Sequence, residues 1–204
     1  MSRPVEIVRT DRLIIRRFAL DDAAAFHRYR DDPEVARYQG WGSPYSRQQA
    51  DAHVADFVAA PVFNPGDWTQ LAIERVVAPG LIGDIGIRLE PIEPTAELGF
   101  TIAREHWGNG YGREALNAVA ELLLDDIELE RVVAFTHRAN LSSIKSLHHA
   151  KLVPIAVDGD EIVYYRPRGE DLRQRDPRGH GARDRAQGDD GREEGSSTTP
   201  NDPQ

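Results

Sequence analysis

The run Trp107-Gly108-Asn109-Gly110-Tyr111-Gly112-Arg113-Glu114-Ala115 lies between a strand-like segment and a helix-like one. Glycine at three alternate positions keeps side chains clear of the backbone as it enters the helix. The first-turn N–H groups then point outward at the positive end of the helix dipole. Such a loop cradles a diphosphate. Gly108, Asn109, Gly110, Tyr111, Gly112 and Arg113 are therefore candidate phosphate-binding residues; a glycine-rich turn without a ligand is the plainer alternative. Two other phosphate loops fail on spacing. A Walker loop needs Lys followed by Ser or Thr after its second glycine, and neither is present. A dinucleotide fingerprint needs Gly-x-Gly-x-x-Gly and an acid closing the next strand, which here ends Phe135-Thr136-His137-Arg138.

Glu97 lies on the strand leading into this loop and is the carboxylate best placed for proton transfer; a solvated strand carboxylate is the alternative. The absence of cysteine excludes disulfides, thiolate-metal sites and a cysteine nucleophile. The seven histidines show no ligand spacing, and adjacent His148 and His149 cannot face one site on a helix, so no metal is assigned.

The elements that must position these groups alternate between the two periodicities. Residues 12–18 read as a strand and 21–30 as a helix stopped by Asp31-Asp32-Pro33. Ser46 and Gln49 form a capping box for a helix with Ala50, Val54, Phe57 and Val58 on one face. Segments 68–76 and 81–89 are strands around a Pro-Gly turn, and 96–103 is a third. An amphipathic helix over 113–126 follows, then a strand at 131–136 and a helix from its N-cap Asn140 to Lys151. Strands at 152–157 and 161–166 flank Asp158-Gly159, a hairpin signal. The order β-α-α-β-β-β-α-β-α-β-β predicts a mixed α/β (α+β) domain, mostly antiparallel, flanked by helices. Its one β-α-β crossover makes 96–103 and 131–136 parallel.

Of the 204 residues, 25 are Lys or Arg and 34 are Asp or Glu, giving −9. That balance argues against general nucleic-acid or anionic-membrane binding and favours cationic partners. Beyond residue 167 the chain carries seven arginines against nine acids, one large aliphatic residue and no aromatic. It cannot bury enough apolar surface to offset chain entropy, so the expectation is a folded domain over 1–167 and a disordered, near-neutral tail over 168–204. No apolar run approaches a membrane span and the first residues form no signal peptide, so a cytoplasmic protein is expected.

Trp107-x-x-Gly110-x-Gly112, after a strand and opening a helix, resembles the coenzyme A signature of the GNAT superfamily of N-acetyltransferases. Tryptophan at its first position resembles the branch of ribosomal-protein N-terminal (Rim-type) acetyltransferases. Thr10-Asp11-Arg12-Leu13-Ile14-Ile15-Arg16, Asp31-Asp32-Pro33-Glu34-Val35, Leu81-Ile82-Gly83-Asp84-Ile85-Gly86 and Asn140-x-x-Ser143-x-x-x-Leu147 resemble that branch in the same order along residues 5–166. One departure stands out. The branch places Gly-Phe after the late helix, whereas Lys151-Leu152 stands here, and lysine does not easily adopt a φ > 0 turn.

The resemblance implies a GNAT-like sheet whose parallel pair splays at the cofactor site through a bulge near Gly99. It implies acetyl-CoA as cosubstrate, with backbone groups of Thr101 and Ile102 pairing with its pantetheine arm and the Ile102 N–H polarising the thioester carbonyl. Asn140 is implied in contact with the pantetheine amides, although an N-cap role explains it as well. The resemblance further implies Glu97 as base, and Ser143 (Ser146 as second choice) as donor to the leaving thiolate, with a structural helix serine as the alternative. Tyr38 and Trp41 are implied to line the acceptor pocket, with packing between the early helices as the alternative. The activity implied is direct acetyl transfer to a primary amine within a ternary complex, by a monomer or homodimer. The acceptor classes are a peptide N-terminus, a polyamine, an amino acid or an aminoglycoside-like amine. A non-catalytic acyl-CoA-binding module is the alternative.

Overall fold

The structure is a computed structural model and describes residues 4–169. Eight strands form one sheet in the order β1-β2-β3-β4-β5-β6-β8-β7, with β1 Glu6–Arg9, β2 Leu13–Arg17, β3 Trp68–Arg75, β4 Leu81–Leu89, β5 Thr95–Ile102, β6 Arg131–His137, β7 Val153–Asp158 and β8 Glu161–Pro167. Every neighbouring pair is antiparallel except β5–β6, the pair the crossover required. Strand β1 is an addition to the expected order. Its four residues at the sheet edge alternate too briefly to declare themselves, and its outer two are exposed. The hairpin turn comprises Gly159 and Asp160, since Asp158 pairs with Glu161, one residue later than the sequence signal suggested.

Helices cover the sheet unequally. On one face α4 (Tyr111–Glu121) and α5 (Leu141–His149) bury Leu116, Val119, Ala120 and Leu147 against Leu13, Ile15, Leu71, Ile73, Ile85 and Leu98. On the other, α1 (Ala23–Arg30), the one-turn α2 (Pro33–Ala36) and α3 (Arg47–Ala59) bring Phe26, Tyr29, Ala50 and Val54 over Ala72. The Ser46–Gln49 capping box starts α3 as expected, each residue's side chain accepting from the other's backbone N–H. Helices α1 and α3 pack on β3 and β4, leaving the α1-side face of β5, β6 and β8 to line a cleft.

Parallel pairing of β5 with β6 runs only from Thr95–Arg131 to Leu98–Ala134. Beyond it β5 stays with β4 to Ile102, and β6 stays with β8 to His137. The pair splays as expected, but without the expected bulge at Gly99. The β4–β5 register steps evenly from Leu89–Ala96 to Gly83–Ile102. Each strand follows its antiparallel neighbour, and sheet twist of roughly 20° per strand carries the two apart.

Arg168 still belongs to the fold, its N–H donating to the Glu130 carbonyl at 2.7 Å. The rest of the expected tail, 170–204, lies outside the described residues. Among the described residues no helix is long and apolar enough to cross a membrane, and no group of three or more His, Asp or Glu is placed to hold a metal ion.

Candidate active site

The slot between the splayed strands is built by backbone. Ala103 N–H donates to Ile82 O and Glu90 N–H to Thr95 O, both at 2.9 Å. Backbone groups of successive strand residues point to opposite sides. Glu97, Gly99 and Thr101 therefore turn their peptide groups to β4, whereas Phe100 and Ile102 turn theirs to the slot. This corrects the assignment of Thr101 as a backbone partner; Phe100 stands there instead, beside Ile102. The indole of Trp107 donates to Ile102 O at 2.7 Å, tying the first residue of the glycine motif to the slot wall.

The glycine loop follows immediately. Gly108 and Gly110 both have φ of +77°, and Gly110 is the left-handed N-cap of α4. Gly112 is buried, and a Cβ there would stand 2.7 Å from the Phe100 ring, so its missing side chain serves close packing of α4 on β5. Arg113 curls back over the helix start, its Nε 2.8 Å from where a Gly110 Cβ would lie. Asn109 is exposed, its side chain folded back on the loop to donate to the carbonyls of His106 and Trp107 at 3.1 Å each, and it does not line the cleft.

A brace that sequence spacing did not reveal holds this loop. Arg12 donates to Asn109 O at 3.0 Å and to Glu114 Oε2 at 2.6 Å, and the Thr10 hydroxyl donates to Glu114 Oε1 at 2.5 Å. Burial alone would raise the Glu114 carboxyl, but the Thr10 and Arg12 hydrogen bonds outweigh it and hold it below its ordinary value. The Arg12 guanidinium also lies 5.0 Å from the Tyr111 ring centre, giving that residue a stacking partner.

Helix α5 closes the far side. Asn140 caps it, accepting from Ser143 N–H at 3.1 Å, and Ser143 is half-buried on the cleft wall. Ser146 donates its hydroxyl to Ser142 O at 3.0 Å, within its own helix. Past α5, Lys151 does take the left-handed turn, at φ +64°. The following N–H, of Leu152, reaches Leu147 O at 3.0 Å, and the Leu152 side chain is buried in the core.

On the α1 side, Glu97 accepts from Arg88 at 2.8 Å across the β4–β5 pair. Tyr38 stacks on His137 with centroids 5.3 Å apart, while Gln39 reaches Phe100 O at 3.5 Å. Residues 38 and 39 thus touch both sides of the slot. Trp41 stacks on the Arg30 guanidinium at 3.5 Å and donates to Arg30 O at 3.2 Å, so its ring is also a packing element. One cleft of about 2150 Å³ is lined by every sequence-predicted site residue except Asn109.

Comparison with known proteins follows the same outline. Residues 12–152 match the family model described as "Acetyltransferase (GNAT) domain". YoaA of Bacillus subtilis (strain 168), named an uncharacterised N-acetyltransferase, is 32% identical over 142 residues, which span 69% of this chain and 79% of that protein. A GNAT-family acetyltransferase from Bacillus anthracis superposes with a TM-score of 0.72 at 20% identity, covering 80% of this chain and 99% of the other. Spermidine N-acetyltransferase from Vibrio cholerae, solved with CoA and spermine, superposes at 0.66 with 16% identity over 78% of this chain and 97% of its own.

Proposed function

The chain belongs to the GNAT acetyltransferase family, and we propose that it moves an acetyl group from acetyl-CoA to a primary amine by direct transfer within a ternary complex. The observation that carries this is the continuity of the slot with the glycine loop, joined where Gly112 meets Phe100 and Trp107 bonds Ile102. An elongated molecule with amides along its arm and a diphosphate at its end fits both. The arm adds to Phe100 and Ile102 as a strand would, and the diphosphate takes the first-turn N–H groups of α4. A CoA-bound polyamine acetyltransferase among the structural neighbours supports that pairing of ligand and fold.

Acetyl-CoA supplies the activated acyl group. The protein must then orient it, polarise its carbonyl, take a proton from the amine and return one to sulfur. Phe100 N–H points into the slot beside Gly99, where a thioester carbonyl would accept from it, while Ile102, nearer the glycine loop, holds the arm. Primary amines have pKa values from about 8 for an α-amine to about 10.4 for lysine, so a base is required at neutral pH. Glu97 takes that role, with Arg88 fixing its carboxylate on the cleft face. Ser143 donates to the departing thiolate; Ser146 is the poorer donor because its proton is engaged within α5. The acceptor is a peptide N-terminus or a small cationic amine, the latter favoured by the chain's net charge of −9.

A thermal-shift titration with acetyl-CoA tests the site, and thiol release in the presence of peptides, polyamines and aminoglycosides tests the reaction. Stabilisation of several degrees and amine-dependent thiol release are expected. No stabilisation at saturating acetyl-CoA would overturn the reading.

A further inference from the structure

We propose that Gln70 and the hollow above Gly99 form the subsite that receives the acceptor nitrogen. The proposal rests on the acetyl-transfer reading and adds the residue that holds the amine.

On the α1 side of the sheet, Asp84, Gly86 and Arg88 of β4 stand opposite Thr101, Gly99 and Glu97 of β5. Two glycines thus face one another between polar pairs. A Cβ on Gly86 would stand 2.9 Å from Gln70 Oε1 and 3.1 Å from the Trp68 ring, so these side chains lean over it from β3. A Cβ on Gly99 would meet nothing within 4 Å. The open space therefore lies over Gly99, the first β5 residue beyond the last bridge to β6, and so at the root of the slot.

The amide of Gln70 has one permitted orientation. Its Nε2 donates to Asp84 Oδ1 at 2.5 Å, and a carboxylate can only accept, which turns Oε1 away from Asp84 and over Gly86. Asp84 is 1% exposed and is itself fixed, accepting from the Tyr29 hydroxyl and from Arg30 at 3.3 Å. Burial, with the charge of Asp84, pushes the Tyr29 hydroxyl well above its ordinary pKa, so it remains a donor. A carbonyl oxygen held this firmly beside an open hollow suits a neutral primary amine. The amine lone pair must face the thioester carbon, leaving its two N–H groups in need of acceptors. Gln70 Oε1 takes one and orients the nitrogen. Glu97, two residues along β5 on the same face and about 7 Å away, passes the ammonium proton to solvent before attack, then accepts from the other N–H and takes its proton as the C–N bond forms.

Gln70→Leu and Gly99→Val test this, with spermine, a serine-initiated peptide and n-butylamine as amines and acetyl-CoA binding measured separately by calorimetry. Gln70→Leu is expected to raise the amine KM about tenfold with kcat less affected and acetyl-CoA affinity within about twofold. Gly99→Val places methyl groups in open space, so its melting temperature should hold while amine kcat/KM falls about 100-fold. Should Gln70→Leu lose its fold, Gly99→Val carries the test. A wild-type amine KM in Gln70→Leu, or wild-type turnover in Gly99→Val, would overturn the subsite alone. A wild type that fails to bind acetyl-CoA, or that binds it but turns over none of the three amines, would instead overturn the acetyl-transfer reading, and the subsite with it.

Discussion

Lys151 occupies the left-handed region at φ +64°, where its N–H closes α5 onto His148 O at 3.1 Å and the next N–H reaches Leu147 O. Left-handed backbone costs an L-residue with a Cβ about 1–2 kcal/mol. Replacing it by glycine removes that strain but gives the unfolded chain more freedom, which costs about 0.5–1 kcal/mol. The Lys151 side chain is exposed, so little contact is lost. Lys151→Gly should therefore stabilise the protein by up to about 1.5 kcal/mol, centred near about 0.7 kcal/mol or roughly 1–3 °C in melting temperature for a domain of this size. Urea unfolding should show a higher midpoint with an unchanged slope. Lys151→Ala is the control, since alanine retains the strain and should stay within about 0.3 kcal/mol of wild type. A glycine variant no more stable than the alanine variant would refute the claim that this turn is strained.

Glu97→Gln should lower kcat at neutral pH by about 100-fold or more while leaving acetyl-CoA affinity within about twofold; an unchanged pH–rate profile removes Glu97 from the base role. Gly110→Val forces a branched residue to φ +77° and displaces Arg113, so acetyl-CoA affinity by calorimetry should fall more than about tenfold. Retained affinity would detach the loop from the diphosphate. Glu114 is held below its ordinary value of 4.5, so its contribution is present above that pH and is lost as pH falls through the lowered folded value. Glu114→Gln should accordingly be less stable than wild type at pH 7, and the gap in urea midpoints should close on acidification; a constant gap would mean the Thr10–Arg12 brace acts by shape alone.

Much of this arrangement is legible along the chain because it is local. Alternating apolar residues announce β3 to β6, the Ser46–Gln49 box announces α3, and three spaced glycines announce the start of α4. What the chain hides is long-range. Arg12 and Glu114 are 102 positions apart, and nothing in either neighbourhood says that they meet under Asn109. The direction of backbone groups is hidden for a subtler reason. Whether Thr101 or Ile102 faces the slot depends on which residues bond to β4, a one-residue choice of ladder phase that apolar patterning does not encode. Gly99 illustrates the same limit. Glycine in a strand suggests a bulge, whereas here its missing side chain leaves a hollow in an even ladder. Lys151 shows the converse, a left-handed turn kept by helix closure although the residue type argues against it.

The geometry at the two ends of the cleft argues for one ligand rather than two. The first-turn N–H groups of α4 need acceptors, and the helix end carries partial positive charge; a cation beside such an end is unfavourable by about 0.3–1 kcal/mol. Arg113 nevertheless curls over it, and among the described residues no carboxylate answers its guanidinium. An anion between the two converts that repulsion into attraction on both sides. One turn away, Phe100 and Ile102 present strand-type peptide groups to a slot where β6 has already departed. Their carbonyls already accept from Gln39 and Trp107, and an added strand-like arm would pair with the N–H groups that remain. A thin arm bearing spaced amides and ending in a diphosphate meets both demands at once. On the proposed function, its reactive end would lie beside Gly99, near the Gln70 oxygen that the bond to Asp84 orients.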